Sequence, residues 1–123
     1  MIKIYNTLSR DKEVFSSLKD NKIGIYVCGP TVYDVPHIGH ARSAYVFDFI
    51  RKYLEYRGYA VTLVRNVTDV DDKTINKSVS ELSSSGEPIL GDSLKNKTHE
   101  VAKRYLAQYN EEMAILGIKK PTR

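Results

Sequence analysis

Tryptophan is absent from the 123 residues, cysteine occurs once and proline four times. The single cysteine, Cys28, excludes an internal disulfide and leaves packing, chemistry or metal ligation as its work. No apolar run reaches the length needed to span a bilayer. The opening Met1-Ile-Lys-Ile-Tyr-Asn6 has no charged-then-apolar leader, so a soluble, cytoplasmic protein is expected. No internal repeat argues for a stacked array. Charge of one sign is also scarce: 19 Lys and Arg against 15 Asp and Glu give a net +4, which permits a polyanionic partner without requiring one.

What is present suits a globular domain, since 41% hydrophobic residues against 28% charged can build a core. Ile4 to Leu8 reads as a short extended piece, and Ser9 to Glu13 as a polar turn. Lys22 to Cys28 is compact, β-branched and aromatic, which predicts a buried strand stopped by Gly29-Pro30. After a loop over Thr31 to His40, the period lengthens. Tyr45, Phe49 and Tyr53, with Val46, Ile50 and Leu54, recur three and four apart and predict an amphipathic helix from Ala41. Arg42, Asp48, Arg51, Lys52, Glu55 and Arg57 are assigned to its opposite side. Gly58 ends it, and Tyr59 to Val64 is the next strand. Lys22 to Val64 is thus a strand–helix–strand unit, whose two strands should pair in parallel through a right-handed crossover.

A second helix is expected after Asn66 to Asp72, with Asp71 and Asp72 at its positive end. Ser83 to Pro88 is a break. A long helix follows, capped by Asp92-Ser93, with Leu94, Val101, Tyr105, Tyr109, Met113 and Leu116 on its apolar face and Gly117 at its stop. The fold class is α/β.

The segment Cys28-Gly-Pro-Thr-Val-Tyr-Asp34-Val-Pro-His-Ile-Gly-His40 carries the chemistry. A loop leaving a parallel strand and feeding a helix start is where open α/β sheets bind ligands. Free N–H groups and the positive dipole end welcome phosphate there. His37 and His40 can present two imidazoles to one anion, and Gly39 between them lets a flat ring approach the backbone. A polar helix cap is the plain alternative for both histidines, and a buried core thiol is the plain alternative for Cys28.

His37-Ile-Gly-His40 has the form of the class I aminoacyl-tRNA synthetase signature. The wider run Cys28-Gly-Pro-Thr-Val-Tyr-Asp34, and the block Val64-Arg-Asn-Val-Thr-Asp-Val-Asp-Asp-Lys73, resemble cysteinyl-tRNA synthetases. The resemblance implies the first half of a Rossmann-like nucleotide-binding fold, a parallel sheet with flanking helices. Residues 1–123 would be the amino-terminal half of the catalytic domain, with about 86–123 leading toward a connective insertion. It implies ATP-dependent activation of L-cysteine to the adenylate and transfer to tRNA(Cys). By the same resemblance His37 and His40 are catalytic, and Pro30, Tyr33, Asp34, His37, Ile38, Gly39 and His40 surround ATP. Cys28, Gly29, Thr31 and Thr68 bind the amino acid, and Cys28 is the first ligand of one Zn²⁺ per full-length chain.

The other zinc ligands of that family, and its second ATP loop, fall beyond residue 123, so these residues alone should be inactive. Mg²⁺ is expected with ATP, and the whole enzyme is expected to be a monomer without membrane contact. Thr68 has helix capping as its competing role. Asp69, Asp71 and Asp72 resemble catalytic carboxylates or Mg²⁺ ligands, but capping is favoured; His99 should face solvent. Rival readings are a cysteine ligase with an amino-sugar acceptor and an inert nucleotide-binding fragment or interaction domain.

Overall fold

The computed structural model describes residues 1–123. Two sheets and three helices follow the chain in the order β1 (Lys3–Asn6), β2 (Asp11–Val14), β3 (Lys22–Val27), α1 (Ile38–Tyr56), β4 (Ala60–Arg65), α2 (Asp72–Ser85) and α3 (Gly91–Ile115). The expected parallel pair is present: β3 and β4 run side by side from Lys22↔Ala60 to Val27↔Arg65. Their apolar side chains Ile23, Val27 and Leu63 are buried. The ladder resumes past the named strands at Thr31↔Thr68, where the Thr68 N–H donates to the Pro30 carbonyl (3.1 Å) and the Val32 N–H to the Thr68 carbonyl (3.2 Å). This α/β arrangement carries the two strand exits to one edge of the sheet.

Residues 11–13 depart from the expected turn. Asp11–Val14 is a strand, paired antiparallel with β1 from Lys3↔Val14 to Asn6↔Asp11. The turn itself is tighter, and Arg10 takes φ of 59° within it. All four β2 residues are exposed, so no hydrophobic alternation marks the strand.

The first helix starts three residues earlier than expected, at Ile38, because His37 caps it. Its buried side is also different. Ala44, Asp48, Arg51 and Leu54 are buried, while Tyr45, Phe49 and Tyr53 are exposed. Arg51, only 2% exposed, donates to the carbonyls of Lys119 and Lys120 at 2.8 Å each and pairs with Asp48. Burial alone would raise the Asp48 carboxyl, but hydrogen bonds from Lys52 and Arg51 outweigh it and hold Asp48 below the ordinary carboxylate value. Charged residues enter the interior here as a pair: Asp48 accepts from Arg51 and Lys52, and the carbonyls of Lys119 and Lys120 take the other Arg51 Nη donors, leaving only Arg51 Nε without a partner.

Those far residues lie beside β4. The Arg65 N–H donates to the Arg123 carbonyl (3.1 Å), and the Leu63 carbonyl accepts from Thr122 (2.7 Å) and Arg123 (3.4 Å), a parallel-ladder pattern. The helix pair α2 and α3 packs through small and apolar side chains, including Ser78, Leu82, Thr98 and Val101, all buried. Glu81 adds contacts to Arg104 (2.5 Å) and Lys97 (3.5 Å) across the pair. The α3 face is as expected over Val101, Tyr105, Tyr109 and Met113. Leu116, however, is 52% exposed, and Ile118 is buried instead. Asp92 and Ser93 fall inside the helix rather than at its cap, which is Leu90 with no side-chain hydrogen bond.

Candidate functional site

The site is built where β3 ends and α1 begins. Cys28 is exposed at the strand exit, and Pro30 behind it is buried. Gly29 lies against the neighbouring exit: its N–H donates to Asn66 Oδ1 (2.9 Å), and a Cβ there would sit 1.7 Å from the Asn66 carbonyl oxygen. No side chain fits at that position.

At the helix start, two imidazoles take the orphan donors. The Gly39 N–H donates to His37 Nδ1 (3.1 Å), and the His37 N–H donates to His40 Nδ1 (3.2 Å). Both Nδ1 atoms act as acceptors, so each neutral ring carries its hydrogen on Nε2. The two rings lie 4.0 Å apart between centroids, tilted by 34°. Gly39 is needed because the His37 ring fills the space beside it; a Cβ would come within 2.8 Å of His37 Cε1. The glycine thus makes room for a protein ring, where sequence reasoning had assigned the space to a ligand ring. Burial first, and the adjacent His37 second, hold His40 below the ordinary histidine value, which favours the neutral ring. The capping reading of these histidines holds, and it leaves the Nε2–H of each ring uncommitted.

One pocket of about 120 Å³ gathers Cys28, Gly29, Pro30, Gly39 and His40 with Ser43, Arg65 and Tyr109. The thiol and the second imidazole therefore face one space. His37 does not line it; its ring lies beside that of His40. Thr31 and Thr68 are joined next door by the resumed ladder. Tyr33 packs under the Lys73 ammonium (5.3 Å), and Asp34 accepts the Val35 N–H (2.8 Å). Ile38, 85% exposed, lines a separate groove with Ala41, Arg42, Tyr45, Val46 and Leu116.

Thr68 is not a helix cap. Asp71 is, with Oδ1 accepting from the Lys73 (2.9 Å) and Thr74 (3.1 Å) N–H groups. Asp69, Asp72 and His99 are exposed. Nowhere do three His, Cys, Asp or Glu side chains gather closely enough to hold a metal, so Cys28 alone does not make a zinc site within these residues. Sequence reasoning missed Arg65, Ser43 and Tyr109. Arg65 stood in the second motif block, while Tyr109 looked like plain helix core.

The sequence profile of the class I (C) tRNA synthetase catalytic domain matches residues 14–123. The chain belongs to that family. The synthetase chain is also 47% identical to a cysteine–tRNA ligase of Streptococcus pneumoniae, over 100% of this chain and 25% of the relative. A cysteine–tRNA ligase of Enterococcus faecalis is 49% identical over 99% of this chain and 23% of its own length. One from Geobacillus thermodenitrificans is 50% identical over 97% and 23%. The chain spans about a quarter of the length of the relatives it matches. No helix is long and apolar enough to cross a membrane.

Proposed function

We propose that these residues form the ATP- and cysteine-facing part of an enzyme that activates L-cysteine and transfers it to tRNA(Cys). The observation that carries the reading is the shared pocket of Cys28 and His40 at the start of α1. Family membership and the cysteine–tRNA ligase relatives support it.

In the first step a carboxylate oxygen of cysteine attacks the α-phosphorus of ATP. A new P–O bond forms, the bond from that phosphorus to the bridging oxygen breaks, and pyrophosphate leaves with its electron pair. Negative charge concentrates on the non-bridging α-phosphate oxygens as the phosphorus passes through five-coordination. The Nε2–H groups of His40 and His37 donate to those oxygens, at the positive dipole end of the helix start. Neutral imidazoles suit this role, because their Nδ1 atoms stay committed to the backbone and the donors need no reorganisation. No covalent protein nucleophile is required. The adenylate's acyl carbon is then taken by the terminal ribose hydroxyl of tRNA, and AMP leaves.

In this reading Pro30, Tyr33, Asp34, Ile38 and Gly39 shape the nucleotide side, and Gly29, Thr31 and Thr68 the amino-acid side. Cys28 would contribute one thiolate to a zinc site whose other ligands would come from outside residues 1–123, and the metal would prefer a thiol substrate over a hydroxyl. Mg²⁺ accompanies ATP, and the whole protein works as a cytoplasmic monomer. The test is cysteine-dependent exchange of pyrophosphate into ATP, run with a polypeptide of the relatives' full length that carries these residues. Exchange that requires cysteine is expected, and none from residues 1–123 alone. Exchange unaffected by omitting cysteine, or absent from the full-length polypeptide, would refute the assignment.

A further inference from the structure

Tyr109 reaches the pocket from α3, the only side chain of that helix to do so. Its neighbours on the buried face are Ala102, Tyr105 and Met113, and for burial alone an apolar residue would serve equally. Tyr109 is 7% exposed, so its hydroxyl needs a partner, and Arg65 Nη1 supplies it at 3.0 Å. Its ring stands edge-on to His40, with centroids 6.4 Å apart and planes at 88°. Tyr105, one turn earlier, differs: Arg104 and Lys77 lie over its ring at 5.0 and 5.7 Å, and it does not line the pocket.

We propose that Tyr109 is a positioning residue for the activation step: its ring holds the plane of the His40 imidazole, and its hydroxyl holds the Arg65 guanidinium on the same pocket wall. The chemical consequence rests on the function proposed above; the placement of the rings does not. A ring hooked only through Nδ1 can still rock about its side-chain torsions, and a donor off its line loses most of its value at a developing charge. The edge contact from α3 blocks that motion. The groups facing His40 are then His37 from its own helix start, Arg65 from β4 and Tyr109 from α3, with Cys28 across the pocket. Arg65 is the one cation on this wall, and its planar fork of donors suits a carboxylate or phosphate oxygen. Anchored by Tyr109, it presents the donors left free in a fixed direction.

Two variants separate ring from hydroxyl. Tyr109→Met keeps an apolar side chain in the core without the ring; Tyr109→Phe keeps the ring without the hydroxyl. In residues 1–123, imidazole ¹H–¹⁵N spectra at about pH 8, where histidine is neutral, report the tautomer. His40 is expected as the single Nε2–H tautomer in the unaltered protein and in Tyr109→Phe, and as a mixture of tautomers in Tyr109→Met. In the full-length polypeptide, Tyr109→Met should lower kcat for pyrophosphate exchange by on the order of 10²-fold with KM for ATP little changed, and Tyr109→Phe should recover most of that loss. A single His40 tautomer in Tyr109→Met, with kcat unchanged, would overturn the proposal. Should Tyr109→Met fail to fold, Tyr109→Phe decides through the Arg65 Nε–H: faster solvent exchange than in the unaltered protein supports the anchor, and identical exchange refutes it. Lack of exchange activity in the unaltered full-length polypeptide would refute the assigned reaction instead, and the tautomer spectra would still judge the ring placement.

Discussion

Two helices begin at the same edge of one parallel sheet, yet their starts are chemically opposite. After β3, α1 opens with His37 and His40, and no acidic residue lies in its first turn. After β4, α2 opens with Asp71 as its cap and Asp72 behind it. Both starts offer backbone N–H groups and a positive dipole end. At α2 a carboxylate already occupies that place, so an incoming phosphate meets negative charge. At α1 the caps are imidazoles, which accept backbone N–H groups through Nδ1 and bring no carboxylate. A helix terminus with an uncharged cap leaves its positive field uncompensated, which favours an anion there.

The contrast can be broken most severely at the seam between the two strand exits. Gly29→Ala puts a Cβ 1.7 Å from the Asn66 carbonyl oxygen, which forces the exits apart. A loss of more than about 4 kcal/mol in stability is expected, read from denaturant melts, because backbone rather than a flexible side chain must yield. His40→Ala comes next. In the full-length polypeptide it should slow cysteine-dependent pyrophosphate exchange by about 10²–10³-fold, the usual loss for one transition-state donor. A rate near that of the unaltered protein would remove this imidazole from the chemistry.

Asp71→Ala should instead cost about 1 kcal/mol of stability, with exchange activity nearly unchanged, since it removes a cap and no donor to substrate. The smallest effect is one of pH. The lowered His40 value means that the unfolded chain takes up a proton more readily than the folded one. Stability from this group is present above the ordinary histidine value near 6.5 and is lost as pH falls through the lower folded value. Melting temperatures across that window should fall on acidification. His40→Ala should flatten the trend, and Asp71→Ala should leave it in place.

The β3–α1–β4 unit was legible because β-branched runs and a change of hydrophobic period mark it locally, and the motif residues fixed where the strand exits. The hairpin strand β2 was not, since its four residues are all exposed and carry no alternation. Buried Asp48 and Arg51 were likewise invisible. Arg51 finds carbonyls at Lys119 and Lys120, nearly seventy residues away, and Asp48 pairs with Arg51 and Lys52, whereas helical periodicity alone consigns such charges to solvent. The start of α1 was misplaced by three residues because histidine is not among the usual capping residues. At the site, Cys28 and His40 were expected together and do share a pocket. Arg65 and Tyr109 complete its wall through tertiary packing that no spacing in the sequence encodes.

The most direct test of unequal helix starts is a backbone ¹H–¹⁵N titration of residues 1–123 with ATP, without added metal. Saturable shifts are predicted for the N–H groups of Ile38, Gly39 and His40, with those of Lys73 and Thr74 unmoved. Shifts centred on Lys73 and Thr74, or equal at both starts, would contradict the account.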